Sequence, residues 1–369
     1  MKFTGNRQRL LDAFRIVGSV ASSRNVRPML QNLRLVVGPD GATLLATDLE
    51  VAIRYRVPLD IVEEPGDVVI HAGRVQQLLA EATTDNVTFE STAKDRGVRV
   101  VSGRSKFIVH GENPDEFPVI PSFGERKGVS FAREAFLRMV DRTHFAAAKD
   151  RTRFAFNGCM VHVNASVVQM VGTDGKRLAC ATAACENPDG VTAKHILPIK
   201  GLLTFARVLV EDDATLTMAF EEKQVMLKTS RAEVTSLLVE GSYPDHNQVI
   251  PKDWKITVTM KRDDFVRALR QAKLLVPSDH PSVRLTLAET SVSLAARSTD
   301  VGEAQVDLDA VVEGGSIEVA FNPEYVLEGL NAMTTDQVIL HLNDPQKPAR
   351  LDGEKDFVYV VMPVTMRAG

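Results

Sequence analysis

Asp48, Asp174 and Asp300 each follow a threonine, and the pairs Thr47-Asp48, Thr173-Asp174 and Thr299-Asp300 stand 126 residues apart. Carboxylates repeated at a fixed interval admit two chemistries. Set between copies of a repeat, they could act as general bases or hold a catalytic cation. Set in turns, the threonine hydroxyl and the aspartate carboxylate accept backbone N–H groups and fix a tight bend. Three equivalent positions fit turn chemistry better than three identical active sites, so a tandem-repeat enzyme is the lesser reading. No other catalytic pattern is present. Cys159, Cys180 and Cys185 form no C-x-x-C pair, the eight histidines form no H-E-x-x-H, and a G-x-S-x-G elbow, a Walker loop and a G-x-G-x-x-G fingerprint are missing. The thiols are expected to be buried and incidental, with no metal and no cofactor.

The interval extends beyond the aspartates. Leu10, Leu11 and Phe14 are answered by Phe136, Leu137 and Val140, and Phe117-Pro118-Val119-Ile120-Pro121 returns as Tyr243-Pro244 followed by Val249-Ile250-Pro251. In the third copy Phe265 and Leu269 take the places of Phe136 and Val140 after a three-residue insertion. Self-similarity at a fixed period sets the architecture before any single element is placed. The chain reads as three copies of one unit, with domains at 1–125, 126–254 and 255–369.

The elements that must position these residues follow from periodicity. Each copy runs twice through a short strand, an amphipathic helix and several alternating strands, so it is a pair of half-units. First helices are expected near Arg7 to Ser19, Arg133 to Lys149 and Lys261 to Lys273, and second helices near Gly73 to Ala82, Pro198 to Leu209 and Pro323 to Met333. Strands are expected at Asn32 to Val37, Val98 to Val101, Phe154 to Val163, Val225 to Leu227, Val283 to Leu287 and Val358 to Met362. The fold class is α+β: three tandem domains, each with two helices packed on antiparallel sheets. With 369 residues, 44% hydrophobic and 25% charged, the composition is ordinary for a soluble protein. Met1-Lys2-Phe3-Thr4 opens no signal peptide and no stretch approaches 18 apolar residues, which leads to the expectation of a cytoplasmic protein without membrane contact.

Charge is segregated. The six helical segments carry a net +7 in a chain of net −4, leaving −11 for everything else. Lysine and arginine are also good helix formers on solvated faces, but basic helices in an acidic protein suit a polyanion gripped by its phosphates without base readout. The last helix, with Glu324 and Glu328, departs from this and is expected near a subunit interface or rim.

Met1-Lys2-Phe3-Thr4, Thr47-Asp48-Leu49-Glu50, Thr173-Asp174-Gly175-Lys176-Arg177-Leu178, Tyr243-Pro244-Asp245 and Tyr359-Val360-Val361-Met362-Pro363 together resemble the bacterial DNA sliding clamp, the β subunit of DNA polymerase III, over the whole chain. The resemblance implies a non-catalytic processivity factor: a ring-shaped, head-to-tail homodimer of six domains, with helices lining a hole that encircles duplex DNA. A separate ATP-driven clamp loader would open the ring, and the replicative polymerase and repair proteins would be tethered to it. Arg24 and Lys149 match clamp positions that contact DNA. Arg7, Arg15, Arg138, Arg142, Lys200, Arg207, Arg267 and Lys273 join them by helix membership alone, and about half should face the hole. Each could instead pair with an acid of its own helix, such as Asp12, Asp141 or Asp263.

Clamp partners resemble one another in a motif close to Gln-Leu-x-Leu-Phe. The matching cleft residues are Thr173, Gly175, Lys176, Arg177, Leu178, Pro244, Val249, Val360, Val361, Met362 and Pro363, with Phe156 as a wall. Without the resemblance, Val360 to Met362 would be read as a buried terminal strand. The family often has histidine where Lys176 stands and basic residues near Asn247 and Gln248, and this chain's tail beyond Pro363 is longer. Those departures bear on peptide preference and raise the alternative of a specialised clamp paralogue. Arg104, Lys106, Phe107 and Val109 match the first-domain side of the dimer contact, and Leu274, Leu275, Asp300 and Glu303 the third-domain side. Complementary faces of this kind suit a heterologous contact that closes.

Overall fold

The computed structural model describes residues 1–21, 27–92, 96–149, 154–276, 281–298 and 301–365. Its helices, among the described residues, are α1 (Arg7–Gly18), α2 (Ala72–Glu81), α3 (Arg133–Thr143), α4 (Ile199–Val208), α5 (Arg262–Lys273) and α6 (Pro323–Asn331). Local chemistry explains their limits. Asn6 Oδ1 accepts the amides of Gln8 and Arg9 at the start of α1, and Asn322 caps α6, whose first residue is a proline. Helix α5 carries Asp263 and Asp264 in its first turn and Arg270 and Lys273 in its last, matching the helix dipole at both ends. Its Phe265, Val266, Ala268, Leu269 and Ala272 form the buried stripe. None of the helices is long and apolar enough to cross a membrane.

The chain divides into two compact units: one comprises Met1–Arg133, Cys185–Val191 and Lys200–Leu238, the other Glu134–Ala184, Thr192–Ile199 and Val239–Gly369. Each holds one nine-stranded antiparallel sheet. In the first unit the order is Gly111–Glu112, Gly66–His71, Asn32–Gly38, Gly41–Thr47, Val51–Val57, Ala232–Leu237, Gln224–Lys228, Thr215–Phe220, Val129–Ala132. In the second it is Ala193–Pro198, Gly158–Asn164, Val167–Thr173, Arg177–Ala184, Phe357–Val361, Ala349–Glu354, Gln337–Leu342, Ile256–Lys261, Val311–Glu313. The central copy is therefore shared, its first half-unit joining the third copy and its second half-unit the first copy. A five-stranded sheet completes the first unit and a four-stranded sheet the second. They end at edge strands Ser105–Val109 and Gly302–Asp309, respectively.

The Thr-Asp pairs form turns. Thr47 Oγ1 accepts the Leu49 amide and donates to the Val51 carbonyl, while Asp48 Oδ1 accepts the amides of Glu50 and Val51. Thr173 and Asp174 repeat every one of these bonds with Gly175, Lys176 and Arg177. The third residue of each turn has positive φ, 77° at Leu49 and 85° at Gly175. Thr299 and Asp300 lie outside the described residues.

Two expectations need correction. Helix α3 stops at Thr143, short of Lys149, because the Thr143 hydroxyl folds back onto the Met139 carbonyl (2.7 Å) and the chain tightens into a 3-10 turn at His144–Ala146. Phe154–Phe156 is likewise a 3-10 turn, and the strand begins only at Gly158, where a Cβ would lie 2.4 Å from the Leu197 carbonyl oxygen.

Glycine also sets the approach of α6 to its sheet. A Cβ on Gly329 would stand 2.4 Å from the ring of Tyr359, a fully buried side chain whose hydroxyl donates to the Tyr325 carbonyl. Gly329→Ala should therefore cost about 1–3 kcal/mol in chemical denaturation, the usual penalty for overpacking. Gly38→Ala, where the added methyl meets open space, should leave the midpoint nearly unchanged.

Candidate peptide pocket and nucleic-acid interface

The pocket residues of the sequence converge in the second unit. Leu178 and Val360 face one another across paired strands, and with Met160, Val171, Cys180, Ile196 and Tyr243 they form one apolar cluster against which Phe156 and Ile250 pack. The Met362 amide donates to the Lys176 carbonyl at 2.8 Å, which extends the strand pairing to the pocket rim. Tyr243 packs edge-on to Phe156 and donates its hydroxyl to the Val171 carbonyl at 2.9 Å; burial pushes its pKa up. After Tyr243 the chain makes a small turn capped by Asp245, and the His246 carbonyl accepts the amides of Val249 and Ile250. Val249 is 40% exposed as a result.

The pocket set divides into surface and support. Gly175, Lys176, Pro244 and Val249 are exposed, Phe156, Met362 and Pro363 are partly exposed, and Thr173, Arg177, Leu178, Val360 and Val361 are buried. Arg177, one of the cleft residues, is buried. Its guanidinium pairs with Asp174 at 3.1 Å and with Glu328 of α6, donates to the Phe145 carbonyl at 2.8 Å, and lies 4.5 Å from the Tyr325 ring centroid. It braces the turn beneath the pocket. Beside it Arg138, Asp141, Arg142, Phe145, Glu328, Asn331, Ala332 and Thr334 line a cavity of about 380 Å³.

The helix cations also separate. Arg138, Lys149 and Arg207 are exposed, and none has a carboxylate within ion-pair distance among the described residues. Arg15 and Arg267 are exposed but face Asp12 (3.6 Å) and Asp264 (3.4 Å) on their own helices. Lys273 pairs with Glu324, and Lys200 pairs with Asp48 with Glu50 nearby at 3.8 Å. Arg7 is half-buried and donates to the Leu79 carbonyl at the end of α2. Arg142 drops out of the set offered to a phosphate: it is 6% exposed and committed to Glu354 and Asp356. Arg24 lies outside the described residues. The two acids of α6 that stood out in the charge pattern are the intrachain partners of Lys273 and Arg177.

At the sheet edges, Arg104, Lys106 and Phe107 are exposed, and so is Ile108, which sequence reading passed over although it continues the same edge. Val109 is 8% exposed and belongs to the core. Leu274 is 78% exposed, Leu275 is partly so, and Glu303 pairs with Arg297 at 2.8 Å. Asp300 lies outside the described residues. The three cysteines are buried thiols outside any disulfide, and burial pushes the Cys159 and Cys180 thiols up to about 12. Among the described residues no three His, Cys, Asp or Glu side chains gather as a metal site.

Comparison with known proteins identifies the family. Family models of the DNA polymerase III beta subunit match end to end: the N-terminal domain over residues 1–121, the central domain over 130–245 and the C-terminal domain over 247–365. The Beta sliding clamp of Pseudomonas aeruginosa is 30% identical over 368 residues, covering 99% of this chain and 100% of the relative. A crystal structure of the Pseudomonas aeruginosa sliding clamp bound to griselimycin aligns with a TM-score of 0.94 at 29% identity, covering 99% of this chain and 100% of that one. The Bacillus subtilis clamp structure shares the fold with a TM-score of 0.94 at 24% identity over 100% of both chains. The chain belongs to the DNA polymerase III beta subunit family.

Protonation tests the packing around three histidines. Burial lowers the pKa of His195, His246 and His341 below the ordinary 6.5, and His246 is 3% exposed with neither ring nitrogen hydrogen-bonded. An unfolded histidine takes up its proton near 6.5 whereas these resist it, so the unfolded state gains as pH falls. The thermal midpoint should be level above that pH and decline below it. His246→Gln should flatten part of the decline in calorimetric scans between about pH 7.5 and 5.5.

Proposed function

We propose that this chain is a sliding clamp for the replicative DNA polymerase, a non-catalytic homodimer that closes around duplex DNA. The reading is carried by two of the sheet edges. Ser105–Val109 in the first domain and Gly302–Asp309 in the third each leave a row of backbone groups unpaired within the chain. Exposed Phe107, Ile108 and Leu274 stand beside them. Open edges of this kind invite pairing with another chain, and a head-to-tail contact between two copies satisfies both. The domains are 1–125, 126–254 and 255–369, and closure makes a ring of six.

Within that ring Arg138, Lys149 and Arg207 are the strongest candidates for phosphate contact, with Arg15 and Arg267 next, since an exposed helical ion pair contributes little and yields readily to a phosphate. Contacts of this type are weak and sensitive to salt, which allows sliding, and retention then comes from enclosure. Carboxylates already used as turn acceptors remove the basis of the enzyme reading. The clamp should stay on a nicked circular plasmid after opening by a clamp loader and be lost when the plasmid is linearised. Equal retention on both forms would mean direct affinity and defeat the reading. Reversing Lys149 and Arg207 to glutamate should reduce loading at about 0.15 M salt while leaving the dimer intact in sedimentation.

The pocket between Gly175, Pro244, Val249 and Met362 is the docking site for a Gln-Leu-x-Leu-Phe-like segment of polymerase, loader and repair proteins. Its aliphatic and methionine lining suits a groove that takes several partners. Val249→Glu, at an exposed wall, should weaken such a peptide at least about tenfold without changing thermal stability. Tight binding of the unmodified motif by the wild type would also dispose of the specialised-paralogue alternative that Lys176 and Gln248 raise.

A further inference from the structure

The sheet carries a row of registered side chains that starts in the pocket and ends outside it. Leu178 pairs with Val360, Val360 with Arg350, Arg350 with His341, and His341 with Thr257. Residues in register on neighbouring strands share a face, so the apolar floor formed by Leu178 and Val360 continues directly into Arg350 and His341. The segment that follows the pocket wall meets this polar stretch. Arg350 Nη1 donates to the Pro251 carbonyl at 3.2 Å, one residue beyond Ile250, and its guanidinium lies 5.5 Å from the centroid of the Trp254 ring. Asp352 orients that guanidinium through Nε at 2.9 Å. The Trp254 ring stacks on His341 at 3.8 Å, and His341 in turn reaches Asp352 at 3.2 Å. Asn343 fixes the Asp253 carbonyl at 2.6 Å. At its other end the segment is held by the His246 carbonyl, through the amides of Val249 and Ile250, and by the packing of Ile250 on the apolar cluster.

We propose that Arg350 is a positioning residue for peptide recognition, clamping the 249–254 segment so that Val249 and Ile250 stand as a fixed wall of the pocket. This rests on the pocket reading above. Arg350 touches no peptide; it acts through the Pro251 carbonyl and the Trp254 ring. A planar, forked guanidinium can serve a carbonyl, a carboxylate and an aromatic ring at once, which an ammonium cannot. The gain is preorganisation: a wall already in place spares the peptide the entropy of ordering it.

The chain contains a single tryptophan, so Trp254 reports the segment's position by itself. The test uses the full-length protein, its Arg350→Ala and Arg350→Lys variants, and an acetylated and amidated Gln-Leu-Ser-Leu-Phe peptide that has no titratable group. The expected result is a red shift of Trp254 emission in both variants without peptide, a roughly tenfold loss of peptide affinity, and an unchanged thermal midpoint. Full affinity in the lysine variant would overturn the proposal, since charge alone would then suffice. So would shifted emission with unchanged affinity, or lost affinity with unshifted emission. A wild type that takes up no peptide defeats the pocket reading and this proposal with it. A wild type that binds, beside variants that bind equally well, defeats the role of Arg350 alone.

Discussion

Strand pairing across successive repeats is the constraint on which the rest depends. Val51–Val57 pairs with Ala232–Leu237 over five registered positions, and Arg177–Ala184 pairs with Phe357–Val361 over five more. Because register fixes which side chains share a face, the second ladder decides that Leu178 meets Val360 and thus where the pocket floor lies. It also brings the Thr173–Arg177 turn beside the C-terminal segment, where the Met362 amide finds the Lys176 carbonyl. Without that ladder the pocket residues are two unrelated stretches of chain.

The turns adapt this common plan to different neighbours. Asp48 and Asp174 use one carboxylate oxygen identically, to accept two backbone amides. Their second oxygens differ in partner: Lys200 of α4 for Asp48, Arg177 of the same turn for Asp174. Arg177 then carries the connection on to Glu328, Tyr325 and Phe145. A buried guanidinium surrounded by two carboxylates, a carbonyl and two rings is costly to disturb, which suits a brace beneath the candidate pocket. The same accounting explains why the acidic α6 does not oppose the basic helices: its acids are already neutralised by Lys273 and Arg177.

Local features of the fold were legible in the sequence, and non-local ones were not. The period of 126 residues, the helices and the turn role of Thr-Asp depend on residues close together along the chain. Helix α3 ran shorter than its pattern because the Thr143 hydroxyl competes for a backbone carbonyl, a side-chain choice that periodicity does not encode. Arg138 and Arg142 lie one turn apart on that helix and read alike. One is exposed and the other is buried, and the difference comes from Glu354 and Asp356, the latter 214 residues away. Arg350 and Trp254 escaped notice for the same reason: nothing near either residue announces that they meet.

The sharing of the central copy has a consequence for a copy standing alone. The segment that recurs along the sequence begins and ends in the coil between strands, whereas each compact unit joins half of one copy to a whole neighbour. The stretch that repeats and the compact unit are out of step by half a copy. A copy cut out at its sequence borders, such as residues 126–254, would expose the flanks of Arg177–Ala184 and Ala232–Leu237 that other copies now cover. A single copy of this kind could cover those flanks only by pairing them with another copy.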